Sequence, residues 1–284
     1  MAPLLSILIP TYNREAYIEQ CIASVLEQPF SDFEIIISDN ASTDRTCEII
    51  QNIQAGEPRI KLLRQPSNMG PVPNWKACLD AASGRFIHWL WSDDYVDASF
   101  YGEWNSFQQQ SGNAGKMFCC ATNYDDCGDI SPAYRYPSDS YSWKELIQKL
   151  LDFPAIPVSP AAYVLPAAAV RKHFYNRIPA NGSIDCVGRA IGVDFLMVAG
   201  TLRDLGTVHL CPKPMVFFRK HMQSISVLEI DSLHVHYIYA LLWFLLQSHT
   251  GIPWRKRWKI YKKIKKMNHP ALTDAGKKLV LKFF

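Results

Sequence analysis

Apolar positions in the first 120 residues fall into two rhythms that alternate along the chain. A short, nearly continuous apolar run from Leu4 to Ile9 is closed by Pro10, as in a strand buried on both faces. Ile18, Ile22, Val25 and Leu26 then recur at helical spacing over 15–28, with Pro29 just beyond. The same pair of rhythms returns. Phe33–Ile37 reads as a second strand, and Cys47, Ile49, Ile50 and Ile53 as a helix that Ser42 or Thr43 can cap. Arg59–Leu63 is a third strand. A helix follows from Asn74 to Ala82 with Gly84 past its end, then a fourth strand over 85–91, a helix over 97–109 and a fifth strand from Lys116 to Ala121. Strand–helix alternation of this kind predicts the α/β class, with right-handed crossovers and a mainly parallel sheet.

The rhythm breaks over 122–165, which holds five prolines among many Tyr, Asp and Ser residues. An irregular stretch of that length inside a compact domain reads as a lid or binding loop. Helical spacing returns over 190–204, an extended run over 207–218, and from Asp231 the chain reads as two or three helices. One is apolar and aromatic (236–246), the next basic and amphipathic (254–267). The predicted organisation is a domain over 1–230, in two halves that meet at residue 120. A helical basic C-terminal extension over 231–284 follows.

Composition narrows the class. The chain has 284 residues, 48% hydrophobic and 20% charged, enough to bury a sizeable core and too apolar for disorder. No apolar run approaches the ~18–20 residues of a membrane span, and the first ten residues read as a strand, not a signal peptide. Eight cysteines include no Cys-x-x-Cys pair, which argues for a reduced, cytoplasmic chain. The net charge of +4 conceals an asymmetry: residues 251–284 carry eleven Lys/Arg against Asp274 alone, while the rest is net acidic. Such a tail suits a polyanion or an anionic membrane face. Trp254, Trp258 and Tyr261 among its lysines suit a helix lying on a bilayer, or a solvated basic face with the tryptophans packed inward.

In an open parallel sheet, ligands bind beyond the carboxyl ends of the strands. Those ends are Pro10–Asn13, Ser38–Asp44, Arg64–Gly70 and Ser92–Asp94, all polar, and together they suggest a nucleotide-like ligand and a cation. Adjacent carboxylates at Asp93 and Asp94 repel unless something offsets them, and Mg²⁺ with phosphate oxygens is a natural offset. The plain alternative is an Asp cap for the following helix. Asp39 reads equally as a turn carboxylate or an acceptor for a nucleobase N–H, and Asp44 as a helix-end charge. Neither Gly-x-Gly-x-x-Gly, a Gly-Lys-Ser/Thr loop nor Gly-x-Ser-x-Gly occurs, which counts against nicotinamide dehydrogenases, P-loop NTPases and α/β-hydrolases.

The blocks Ser6–Asn13, Phe33–Asp44, Asn68-x-Gly70 with Asn74, Ala82–Ile87 and Ser92–Asp94 resemble, in order and spacing, family 2 glycosyltransferases of the GT-A fold. The resemblance implies a nucleotide-sugar donor with UDP or dTDP favoured, Mn²⁺ or Mg²⁺, inversion at the anomeric carbon, and a glycan or lipid-linked acceptor. It places Pro10, Thr11, Tyr12, Asn13, Asp39, Asn68, Gly70, Asn74, Ser92, Asp93, Asp94 and Arg219 at the nucleotide-sugar, with Thr11 and Asp39 on base and ribose. The family's Asp-x-Asp falls on Trp91-Ser-Asp93, so Asp93 matches the metal ligand and Trp91 replaces the first carboxylate. Gly192-Val-Asp194 matches the motif that carries the catalytic base, so Asp194 is the candidate base. The Arg-x-His segment matches at Arg219–His221, which offers His221 to the metal or the diphosphate. Family members that extend lipid-linked glycans work at a membrane surface, which implies peripheral attachment through 251–284. Tyr134, Tyr136, Tyr141, Trp143 and residues 181–185 lie where acceptor-binding parts occur. A sugar-phosphate nucleotidyltransferase would share sheet, nucleotide and metal but normally carries a Gly-rich basic loop after the first strand. A nucleic-acid binder would use the basic tail and leave the acids at the strand ends unexplained, so no nucleic-acid partner is expected.

Overall fold

The computed structural model describes residues 2–112, 116–134, 140–142, 145, 159–175, 177–222, 224, 230–247 and 253–281. It is a mixed α/β fold built on one curled sheet. Strands β1 (Leu5–Thr11), β2 (Phe33–Asp39), β3 (Ile60–Arg64) and β4 (Phe86–Trp89) are parallel neighbours in the order β3–β2–β1–β4. Beyond β4 lie β9 (Tyr163–Pro166), β6 (Met117–Asp126), β10 (Thr207–Arg219) and β5 (Tyr95–Val96). β7 (Asp129–Tyr134) pairs with β6, and β8 (Ser140–Ser142) with β10. The longest ladder, between β6 and β10, is also parallel, and β9 joins the two parallel groups by running antiparallel to both β4 and β6.

Every residue of β1 is buried, which a central strand covered on both faces requires. Leu5, Ile7 and Ile9 point to one face, against α1 (Ile18–Leu26), α2 (Thr46–Gln54) and α4 (Phe100–Gln110). Leu8 points to the other, a larger core of α3 (Pro71–Ala81), α5 (Ala167–Lys172), α6 (Val193–Leu205) and α7 (Ile230–Gln247). Ser6, polar within that run, is satisfied: its hydroxyl donates to Glu34 at 2.6 Å and accepts from the Gly84 N–H at 2.8 Å. A Cβ on Gly84 would sit 2.6 Å from the Ser6 nitrogen, so only glycine lets the chain enter β4 there.

Three expectations change. The fourth strand stops at Trp89, and residues 91–94 turn away from the sheet plane, with the Asp94 N–H on the Trp91 carbonyl. The stretch 122–165 is not irregular where it is described. β6 runs on to Asp126 and turns at Cys127 and Gly128, both at positive φ (53° and 97°), into β7. A two-residue turn with both centres left-handed is a hairpin device whose signal rests on one Gly here. The apolar run at β9 is too short for periodicity to separate strand from helix. Tyr136 and Trp143 lie outside the described residues, and only the strand placement of Tyr134 and Tyr141 is described. Third, α7, the first helix of the expected C-terminal extension, sits inside the larger core: Ala240, Leu242, Phe244 and Leu245 are buried there. α8 (Trp254–Lys266) and α9 (Pro270–Leu281) follow, and Ile260, Ile264 and Leu272 extend the same core.

Candidate active site

Parallel register brings strand ends together. Thr11 pairs with Asp39 and Asp39 with Arg64, so the first three strands end on one rim. Beside that rim lies a cavity of about 830 Å³. From residues 10–94 it is lined by Pro10, Thr11, Tyr12, Asn68, Asn74, Ser92, Asp93 and Asp94, and from later in the chain by Ser159, Asp194, Phe218, Arg219, Ser224 and Tyr237 among others. Asp194 and Arg219 therefore face the same space as Asp93.

Asn13, Asp39, Gly70 and His221 do not line it. Asp39 is buried, and its carboxylate accepts from the Ser42 N–H at 3.3 Å and from the Ser42 hydroxyl. Its turn role is therefore filled. Asn13 bonds the same loop, with its N–H on Ser42 Oγ and its Oδ1 accepting from the Thr43 N–H. Ser42 is thus not the helix cap: Asp44 Oδ1 accepts from the Thr46 N–H at 3.0 Å and opens α2. Asn40, which the sequence reading passed over, lines the cavity and ties the third strand end to the second. It donates to Asn68 Oδ1 and accepts from the Met69 N–H, both at 2.9 Å. Asn74 donates to the Ser38 carbonyl at 2.9 Å and accepts from the Ser38 hydroxyl at 2.6 Å. Arg64 is exposed on the rim, and residues 181–185 stay off the cavity wall.

Thr11 is different. It lines the cavity, and its buried hydroxyl has no hydrogen-bond partner among the described residues. A buried hydroxyl without a partner costs about 1–3 kcal/mol, a cost that a polar ligand atom would remove.

The acidic pair does not cap the next helix. That helix has no side-chain cap, and the carboxylate of Asp97 accepts from the N–H and hydroxyl of Ser99 just before its first residue. Asp93 instead meets His221 Nε2 at 2.9 Å and Arg14 Nε at 3.4 Å. Burial alone would raise its carboxyl, but the His221 hydrogen bond and the Arg14 charge hold it below the usual range. Asp94 accepts from the Arg219 N–H at 3.0 Å, and burial followed by the charge of Asp93 pushes it well upward. Arg219 also donates to the Asp93 carbonyl at 2.8 Å and lies over the rings of Tyr17 and Tyr95. His221 stacks on Tyr17 with ring centroids 4.7 Å apart.

Trp91, where a first carboxylate was expected, lines the cavity against Trp75 at 4.8 Å and donates to Ser159 Oγ at 2.9 Å. It supplies a flat apolar wall and no ligand oxygen.

Asp194 stands at the N-terminus of α6, whose first ten residues are all buried. Gly192 precedes it at φ 93°, and a Cβ there would meet Ala240 of α7 at 2.6 Å. Glycine lets α7 pass this close. Tyr237 of α7 then donates its hydroxyl to Asp194 Oδ2 at 2.8 Å, while the Gly192 N–H reaches Oδ1 at 2.9 Å. Asp194 is 6% exposed, and burial raises its pKa to about 6 against these hydrogen bonds, which favour the ionised form. Tyr237, His234 and Leu233 were missed because they sit in an apolar helical run with no motif. Arg14, beside the Pro10–Asn13 block, was within reach of the sequence.

Asp93 Oδ2 and His221 Nε2 are of a kind to hold a divalent ion. Adjacent ligands of an octahedral ion at about 2.1 Å lie about 3 Å apart, close to the spacing of these two atoms. Among the described residues no cluster of three His, Cys, Asp or Glu side chains stands ready for a metal. An ion here would draw its remaining ligands from phosphate and water, as Mg²⁺ commonly does.

Fold and site define an α/β protein with a cleft at its strand ends, lined both by a low-pKa carboxylate beside two arginines and by a second carboxylate of raised pKa. Residues 6–175 match the family described as Glycosyl transferase family 2, and the chain belongs to that family. An uncharacterized glycosyltransferase of Haemophilus influenzae is 43% identical over 94 residues, 33% of this chain and 38% of that protein. The GalNAc(5)-diNAcBac-PP-undecaprenol beta-1,3-glucosyltransferase of Campylobacter jejuni is 44% identical over 93 residues, 32% of this chain and 30% of that protein. The aligned segment thus spans 38% and 30% of these relatives' lengths. Among solved structures, S. aureus TarS 1-349 in complex with UDP-GlcNAc shares the fold at a TM-score of 0.66 and 17% identity, over 100% of this chain and 71% of that one.

Proposed function

We propose that the protein is an inverting glycosyltransferase that moves a sugar from a nucleoside-diphosphate sugar to a hydroxyl of a glycan or lipid-linked acceptor. The observation that carries this reading is the division of labour between two carboxylates on one cavity. Asp93 is held ionised among cationic groups, while Asp194 is buried with a pKa of about 6. The first suits the diphosphate end of a donor, the second a proton transfer near neutral pH. The printed activity of the Campylobacter relative favours a lipid-linked acceptor, and the UDP-sugar bound by TarS favours UDP as the donor nucleotide.

In this reading Thr11 and the Asn40–Asn68 loop receive base and ribose. Arg14 and Arg219 face the diphosphate and offset the charge that grows on it as the anomeric C–O bond breaks. Asp93 and His221 would hold Mn²⁺ or Mg²⁺, which when bound supplies Lewis-acid stabilisation of the same charge. Trp91 and Trp75 give a flat wall for a sugar ring. Asp194 accepts the proton of the acceptor hydroxyl as its oxygen bonds to the anomeric carbon, and the nucleoside diphosphate leaves from the opposite face. One base and one displacement invert the centre. Tyr237 fixes the direction of the carboxylate and stabilises its ionised form.

The test is a coupled assay of nucleotide release with Asp194→Asn. Loss of turnover with intact nucleotide binding supports the assignment. Near-normal turnover would remove Asp194 from the base role.

A further inference from the structure

Helix α8 holds two faces that do different things. Arg257, Ile260 and Ile264, spaced three and four residues apart, are buried, and the two isoleucines join the large core together with Leu272 of α9. Trp254, Trp258, Tyr261 and Lys265, spaced four, three and four apart, form a second stripe. Trp254 is 54% exposed and Trp258 37%. Their rings adjoin at 5.8 Å, and Tyr261 lies 5.4 Å from Trp258. Lys265 is exposed within this stripe, Arg255, Lys259, Lys262 and Lys266 are exposed on the face turned away from the core, and the helix contains no acidic residue.

The tryptophans are therefore not packed inward, although an apolar core lies on the other face of the same helix to receive them. An exposed aromatic stripe bordered by lysines, with no carboxylate, matches the interfacial layer of a bilayer: rings enter the headgroup region while the ammonium groups meet lipid phosphates. We propose that α8 is a prefolded docking edge for a bilayer rich in anionic lipid, with Trp254 and Trp258 inserted and Lys259, Lys262, Lys265 and Lys266 on the headgroups. No helix among the described residues is long and apolar enough to cross a membrane. The packing of Ile260 and Ile264 makes the edge rigid, so binding carries no cost of folding the helix. The inference stands independently of the transferase reading.

The full chain is to be floated with vesicles of phosphatidylcholine alone and of phosphatidylcholine with phosphatidylglycerol. Flotation with the anionic vesicles, lost at high salt, is expected. Bromine-labelled acyl chains should quench its fluorescence, and Trp254→Ser with Trp258→Ser should abolish that quenching while the melting temperature holds. Changing the four lysines to Gln should weaken binding about fivefold for each charge removed. Equal flotation by the tryptophan variant, or no quenching in the parent chain, would overturn the proposal. So would retention of a duplex RNA with no partition into anionic vesicles.

Discussion

The Tyr237 hydroxyl donates to Asp194 Oδ2 at 2.8 Å, joining two helices across 43 residues of sequence. The bond stabilises the ionised carboxylate, while burial opposes it and dominates, which leaves the group near pH 6.

Asp194→Asn should lower turnover by about 10²–10⁴-fold, the usual contribution of a general base. Nucleotide binding should change little, because the proposed mechanism assigns Asp194 to the acceptor hydroxyl and not to the nucleotide. Single-turnover kinetics beside calorimetric nucleotide titration separates the two.

The pH profile follows from the same group. Below about pH 6 Asp194 holds a proton and cannot accept another, so log kcat/KM should climb with unit slope to about pH 6 and then level off. Removing a hydrogen bond that favours the charged form raises the pKa, so Tyr237→Phe should move this limb to higher pH. A limb unmoved in that variant would show that Tyr237 serves packing alone.

Thr11→Val tests the unpartnered hydroxyl. The swap keeps shape and removes a buried group that has no protein partner, so the melting temperature should hold or rise. If the nucleotide satisfies that hydroxyl, affinity should fall by roughly 2–12-fold, the worth of one hydrogen bond. Thermal unfolding and a nucleotide titration read the two effects.

Asn74→Ala should act oppositely. It removes the side-chain donor to the Ser38 carbonyl and the acceptor of the Ser38 hydroxyl at a buried strand end, leaving that hydroxyl only the Gln65 amide that donates to it, at a cost of about 1–3 kcal/mol. Urea unfolding should report that loss, with activity surviving at temperatures where the variant stays folded.

Chelator should halt transfer, and Mn²⁺ or Mg²⁺ should restore it. Asp93→Asn should raise the metal concentration needed for half-maximal rate, measured by metal titration of initial rates. Undiminished activity in chelator would dismiss the ion.

The nucleotide-side fold was legible because parallel strands covered on both faces announce themselves as apolar runs, and each one ends on the same rim. Asp93 could be placed from such a run, and Asp194 from its match to a known motif. Asp39 was harder, because turn chemistry and ligand chemistry use the same carboxylate, and here Ser42 occupies it. β9 was hidden by its length: four residues carry no periodicity. Tyr237 was hidden by its neighbours, since a lone hydroxyl in an apolar helix gives no sign of which distant acid it meets. Its partner is set by Gly192, which brings α7 against the start of α6.

The cavity's lining comes from separate lengths of chain: the strand ends before Asp94 supply part, and Ser159 with the segments from Ala190 to Tyr237 supplies most of the rest. Substitutions near Asp194 and Tyr237 can therefore reshape the pocket without any change in the strand ends. Two proteins alike over their first hundred residues need not accept the same molecule. Conversely, a chain truncated before α7 would keep every strand-end acid yet lose the roof over the carboxylate it is meant to work with.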